Sequence, residues 1–327
     1  MLEITFRNLE KITKSVFKKK GKLLTEIESS RNKDIREIAI DLAYNILKNL
    51  GYDFKFHSTP IYQLANILNI EEKIEKNILR EAELYKTRKG WAVIHREGTR
   101  EERRRFSLCH EIAHIILSSV NEQLSHLDNE KIEKFCDMIA AELLVPSYLF
   151  EVYTLNEVQT AVSCFLSAGV EKDDNEIKAT NGPRLNFSIF EAMRNHLRVS
   201  RLVLAQQLHW TKFLNNCESG IILSWESVNR YTGRTPALRV TYTALPTWGY
   251  LPINRRIKNI GLFSALVAFD SLDHFESIKW KEAIKVKEKK ENKWPQKEIE
   301  SCGEHTLISF NHEKYMVTTL NWPKPKE

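Results

Sequence analysis

The segment His110-Glu111-Ile112-Ala113-His114 sets two imidazoles four residues apart. On an α-helix that spacing is one turn on one face, so both rings can reach a single Zn²⁺ at about 2.0–2.1 Å. Glu111, beside the first histidine, is angled toward a metal-bound water whose pKa zinc lowers to about 7, the arrangement for general-base hydrolysis of a peptide bond. A catalytic zinc needs a third protein ligand and an open fourth position. The next helical stretch offers Glu133, with Asp137 on the same helical face, in Glu133-Lys134-Phe135-Cys136-Asp137. Glu142 is the competing carboxylate and lies nearly opposite Asp137 on the helical wheel. One Zn²⁺ per chain is the expected cofactor.

Two further histidines lie close to these helices in sequence. His95 closes the strand before the metal helix, where it either touches substrate backbone or packs at the strand end. His126 falls in the polar loop between the two helices, where it is either a solvent-exposed loop residue or a donor to the tetrahedral oxyanion. Cys109 and Cys136 flank the motif residues but read as small buried hydrophobes rather than ligands.

The elements that must hold these residues are legible in outline. Ile35, Ile38, Ala39, Leu42, Ala43, Ile46 and Leu50 fall on one face of a helix over 34–50, stopped by Gly51. A second helix opens at Thr59-Pro60 and runs to Ile70. Residues 84–95 alternate around Lys89-Gly90 as a β-hairpin. Phe106–Leu117 and Glu130–Leu144 are the two metal helices, the second halted at Val145-Pro146, and Arg103, Arg104 and Arg105 are placed before the first. Residues 170–183 read as a linker. Residues 187–210 give two helical patterns divided at Val199-Ser200, with Ser200 as N-cap and Leu202, Ala205 and Leu208 facing inward. This pair suits either a helix-turn-helix, with Arg194, Arg198 and Arg201 toward phosphates, or plain bundle packing. Beyond 218 the pattern becomes strands around a helical stretch at 255–269, and the charged run 279–297 reads as a surface insertion.

Composition sets the outer limits. With 327 residues and 42% hydrophobic content, the chain is long enough for two or three domains with cores of their own. The formal charge of +6 mixes 49 basic with 43 acidic residues, so DNA contact is permitted without being required. Five cysteines form no Cys-x-x-Cys pair, which excludes a cysteine-based zinc knuckle and fits a reducing cytoplasm. No stretch approaches the roughly 18 apolar residues of a membrane span, and the N-terminus lacks a signal-peptide pattern. A cytoplasmic protein with no membrane partner is expected.

The Glu133/Asp137 arrangement resembles the glutamate-liganded zinc peptidases, in which the aspartate holds the first histidine from behind. The runs Arg-Arg-Phe-Ser-Leu-Cys-His-Glu-Ile-Ala-His and Glu-Lys-Phe-Cys-Asp-Met-Ile-Ala-Ala-Glu-Leu-Leu-Val-Pro resemble the ImmA/IrrE metallopeptidase family. They differ from its usual pattern by cysteines at two alanines, Ala113 for glycine, Ile139 for phenylalanine and Asp137 for asparagine. The resemblance implies an α+β fold: a mainly helical zincin-like peptidase domain with a small sheet over 1–169, a helical, helix-turn-helix-like segment over 184–216, and an α+β GAF-like sensor domain over 217–327. It implies a zinc endopeptidase that makes site-specific cuts in a helix-turn-helix transcriptional repressor, in a stress-response, mobile-element or defence circuit. The alternative is a DNA- or protein-binding regulator whose metal site is structural or vestigial.

Overall fold

In the computed structural model the described residues are 5–25, 33–125, 127–163, 185–211, 213–217, 219–227, 237–245, 249–250, 276–288, 298–310 and 313–321. The expected linker at 170–183, the helical stretch at 255–269 and His126 lie outside them. The fold is α+β, and the chain divides into two units, Met1–Leu149 with Arg194–Gln207, and Phe150–Met193 with Leu208–Glu327. No helix among the described residues is long and apolar enough to cross a membrane.

In the first unit, helices α1 (Phe6–Thr25) and α2 (Lys33–Asn49) pack together, and α2 lies against α6 (Asn129–Leu144). All seven apolar positions expected on the inner face of α2 are buried, and Gly51 ends the helix at a φ of 75°, a conformation that glycine adopts without the Cβ clash other residues meet. Phe17 of α1 meets Phe135 of α6 at 6.1 Å between ring centroids. Helix α3 (Ile61–Ile67) is shorter than expected. Asn69 turns the chain at a φ of 51° and β1 (Ile70–Glu75) begins at once, so Ile70 opens a strand rather than closing a helix.

The expected hairpin is present as β2 (Ala82–Lys86) and β3 (Trp91–Arg96), antiparallel, but β3 also pairs in parallel with β1, giving the order β1-β3-β2. Gly90 is required where the strands start: a Cβ there would stand 2.4 Å from the Asn69 carbonyl oxygen. Val93 and His95 share the buried face of β3.

Helix α4 spans Glu101–Leu117, so Arg103, Arg104 and Arg105 lie inside its first turns rather than before it. Glu101 and Glu102 favour the positive N-terminal end, and arginine is a good helix former. Leu108, Ile112 and Ala113 are fully buried, and α4 packs on α6, whose N-cap Asp128 accepts from the Lys131 amide at 2.8 Å. Helix α5 (Asn121–Leu124) bridges the two, and α7 (Ser147–Val152) follows α6 directly. After α8 (Leu155–Ala161), the expected helix pair appears as α9 (Phe187–Leu197) and α10 (Arg201–Trp210). Ser200 caps α10 through its hydroxyl, which accepts from the Val203 amide at 3.3 Å. Ala205 and Leu208 are buried as expected, whereas Leu202 is 45% exposed, because the inner stripe runs through Val203 and Leu204 instead.

The second unit carries, after the short helix α11 (Phe213–Asn216), β4 (Ser219–Ser227), β5 (Ala237–Ala244), β6 (Gly249–Tyr250), β7 (Glu276–Glu288), β8 (Glu298–Phe310) and β9 (Glu313–Asn321). They form one sheet in the order β5-β4-β9-β8-β7-β6, every pair antiparallel. Residues 279–288 of the charged run lie in strand β7 rather than in a surface insertion, and 289–297 lie outside the described residues. Ile278, Trp280, Ile284 and Val286 alternate there with lysines, the period of a strand.

Candidate metal centre

Two helices build the centre, each with an i, i+4 pair. Helix α4 carries His110 and His114, with Glu111 between them, and α6 carries Glu133 and Asp137. The imidazole Nε2 atoms of His110 and His114 stand 3.1 Å apart. Glu133 brings Oε2 to 3.1 Å from Nε2 of His110 and Oε1 to 3.5 Å from Nε2 of His114. A tetrahedral ion with ligand bonds of 2.0–2.1 Å separates neighbouring donors by about 3.3 Å, so this triangle is the right size to hold one. These three residues form a group able to hold a metal ion.

The orientation of both rings is fixed from behind by neighbouring residues of α6. Nδ1 of His110 lies 2.9 Å from Oδ1 of Asp137; the N–H donates to the carboxylate, which leaves Nε2 as the lone-pair face toward the triangle. Nδ1 of His114 lies 3.5 Å from the Cys136 sulfur, a contact that residue spacing in a single chain does not reveal. Replacing Asp137 by alanine is expected to weaken metal binding about 10–100-fold, measured by competition with a chromophoric chelator; unchanged affinity would remove Asp137 from the centre.

Charge and burial divide the roles. Burial opposes protonation of His110, but the Asp137 hydrogen bond and the charges of Asp137, Glu111 and Glu133 outweigh it and hold its pKa above the usual imidazole range. Burial and the neighbouring His110 push His114 the other way. Burial raises the Glu111 carboxyl, Glu133 adds to this, and His110, Arg80 and His95 act against it. Glu111 thus sits in a site that favours accepting a proton, the requirement for a base.

An open cleft of about 620 Å³ leads to the centre, lined by Arg80, His114, Asn129, Ile132 and Glu133. Arg80, in the loop between β1 and β2, carries no sequence pattern that would have assigned it there.

The remaining residues separate clearly. Glu142 is 1% exposed. One oxygen is 2.9 Å from Nη2 of Arg36, and Ser147 donates to the carboxylate from its amide at 2.9 Å and its hydroxyl at 2.6 Å. The same Arg36 nitrogen donates to Gln207 at 2.9 Å. Glu142 is thus committed to a buried network away from the metal triangle, which removes it as the competing ligand. His95 is buried, its Nε2 3.1 Å from Glu72 of β1. Burial holds the thiols of Cys109 and Cys136 well above the ordinary range, so neither is poised as a thiolate. Arg194 and Arg198, offered by sequence to phosphates, lie beside carboxylates at the start of α4, Arg194 4.0 Å from Glu102 and Arg198 paired with Glu101.

No curated protein sequence matches the chain. A solved structure described as a Mycobacterium tuberculosis transcriptional regulator is similar over 94% of each chain, at 10% identity and a TM-score of 0.44. The IrrE N-terminal-like domain model of the peptidase M78 family matches residues 82–171, the span that carries β2, β3 and both metal helices. That span is thus similar to the IrrE N-terminal-like domain of the peptidase M78 family.

Proposed function

We propose that the chain is a zinc-dependent endopeptidase that makes site-specific cuts in a protein partner. The observation that carries this reading is the His110–His114–Glu133 triangle, with ligand separations of 3.1, 3.1 and 3.5 Å and Glu111 beside it on α4. A zinc held by His110, His114 and Glu133 would supply a Lewis acid for the scissile carbonyl and would acidify the attacking water. Glu111 would take a proton from the attacking water and deliver it to the leaving amine. Asp137 keeps His110 in the tautomer that binds through Nε2, and His95 is assigned to holding the sheet through Glu72. His126 keeps its assignment as oxyanion donor on its place in the sequence alone.

The partner we propose is a helix-turn-helix repressor, on the strength of the resemblance to ImmA/IrrE proteins, and the setting is a cytoplasmic stress-response, mobile-element or defence circuit. The peptidase part is assigned to 1–169, the helical segment to 184–216, and a GAF-like sensor to 217–327, where the six-stranded antiparallel sheet lies. The test is incubation of the zinc-loaded full chain with helix-turn-helix repressors encoded beside its gene. Discrete fragments seen by mass spectrometry, lost with chelator and restored by zinc, are expected. Intact repressors in every zinc-loaded reaction would discard this substrate class.

A further inference from the structure

Several cations that adjoin the cleft-lining residues in the chain, or bind their neighbours, are committed. Arg103 pairs with Glu81, Lys131 with Asp128 at 3.6 Å and Lys134 with Glu130 at 2.6 Å. Arg80 differs: it lines the cleft beside His114 and Glu133, its side chain is exposed, and it forms no ion pair among the described residues. The other lining groups beside the triangle are an amide, Asn129, and an apolar side chain, Ile132. The wall beside the triangle thus offers an incoming group one exposed guanidinium, whose charge acts on the Glu111 carboxyl but which pairs with no carboxylate among the described residues. Arginine presents a planar fork that matches a carboxylate with two parallel N–H donors.

We propose that Arg80 is a specificity residue that selects substrates carrying a carboxylate next to the scissile bond. The carboxylate comes from an aspartate or glutamate side chain, as an internal cut requires, or from the end of a peptide chain, which would make the cut a terminal one; both present the same two oxygens to the guanidinium. Arg80 acts on substrate choice and makes no demand on the metal ligands, which lie on other elements. The inference rests on the zinc-peptidase reading above.

The probes are short peptide hydroxamates binding the zinc-loaded full chain, measured by calorimetry alongside zinc content. One set is amide-capped and carries aspartate, asparagine or lysine beside the zinc-binding group. A second set carries glycine there, with a free or an amidated C-terminus. The aspartate compound, the free-carboxylate compound or both are expected to bind about tenfold tighter than the neutral counterpart, and the member that gains identifies the source. The gain should shrink with added salt and disappear in Arg80→Gln, while Arg80→Glu should favour the lysine compound. Equal binding of charged and neutral compounds, or a preference that survives in Arg80→Gln, overturns the proposal. So does a uniform loss across all compounds in Arg80→Gln, which would assign the arginine to the zinc-binding group instead. A chain that takes up no zinc would sink the peptidase reading itself, and this inference with it, by a readout independent of the hydroxamates.

Discussion

Replacing Glu111 by glutamine is expected to leave zinc in place and to lower the rate of partner cleavage by roughly 10²–10⁴-fold, the usual contribution of a positioned general base. The side chains are nearly the same size, and the glutamine amide keeps a hydrogen-bonding oxygen but has no basic site for the proton of the attacking water. Metal retention follows from the geometry, because the three donors that surround the metal position come from His110, His114 and Glu133, not from Glu111. The fold should also survive, since the core face of α4 is carried by Leu108, Ile112 and Ile115. Zinc content by elemental analysis and fragment yield under single-turnover conditions are the two readouts. Undiminished cleavage would remove Glu111 as the base. Loss of zinc would make it part of the ligand set.

The second large effect is on stability. Arg36→Met is expected to destabilise the first unit by about 3–5 kcal/mol, the cost of breaking a buried ion pair from one side. Glu142 would be left 1% exposed with its cation gone, and Gln207, fully buried, would lose the same donor. Ser147 alone cannot replace a guanidinium. At roughly 2–4 °C per kcal/mol for a unit of this size, the unfolding midpoint should fall by about 6–20 °C, read by thermal denaturation. Removing both charges in Arg36→Met with Glu142→Leu should recover much of the loss, because a well-packed apolar pair avoids desolvating two ions. A midpoint unchanged within a degree in the single variant would show that the network contributes nothing.

What could be read from the sequence was what periodicity and spacing encode. The i, i+4 pairs on α4 and α6 needed only the helical repeat, the inner face of α2 appeared as an uninterrupted apolar stripe, and the Ser200 cap followed from one residue type at one position. The failures have a common cause in charge. Strand β1 reads Ile-Glu-Glu-Lys-Ile-Glu, and of its six residues only Ile70 is buried, so no alternation toward a core marks it. The lysines of β7 concealed an alternation that was there to be counted. The arginines expected just before the metal helix sit inside it, where Arg105 is 2% exposed and lies 5.7 Å from the Tyr62 ring. The partners of Glu142 and the position of Arg80 depend on tertiary contacts: Arg36 is 106 residues from Glu142, and no local pattern links them.

That buried network also bears on where the chain can be shortened. The family match ends at 171 and begins at 82, yet β3 takes β1 as a neighbour from before that start, and Arg36 reaches Gln207 from beyond that end. A fragment trimmed to the borders of the match would expose one side of β3, strip α1 and α2 from the inner face of α6, and leave Glu142 buried without a counter-ion. The matched span is therefore shorter than the span that folds around it. An expression fragment should keep α2 and continue through Gln207.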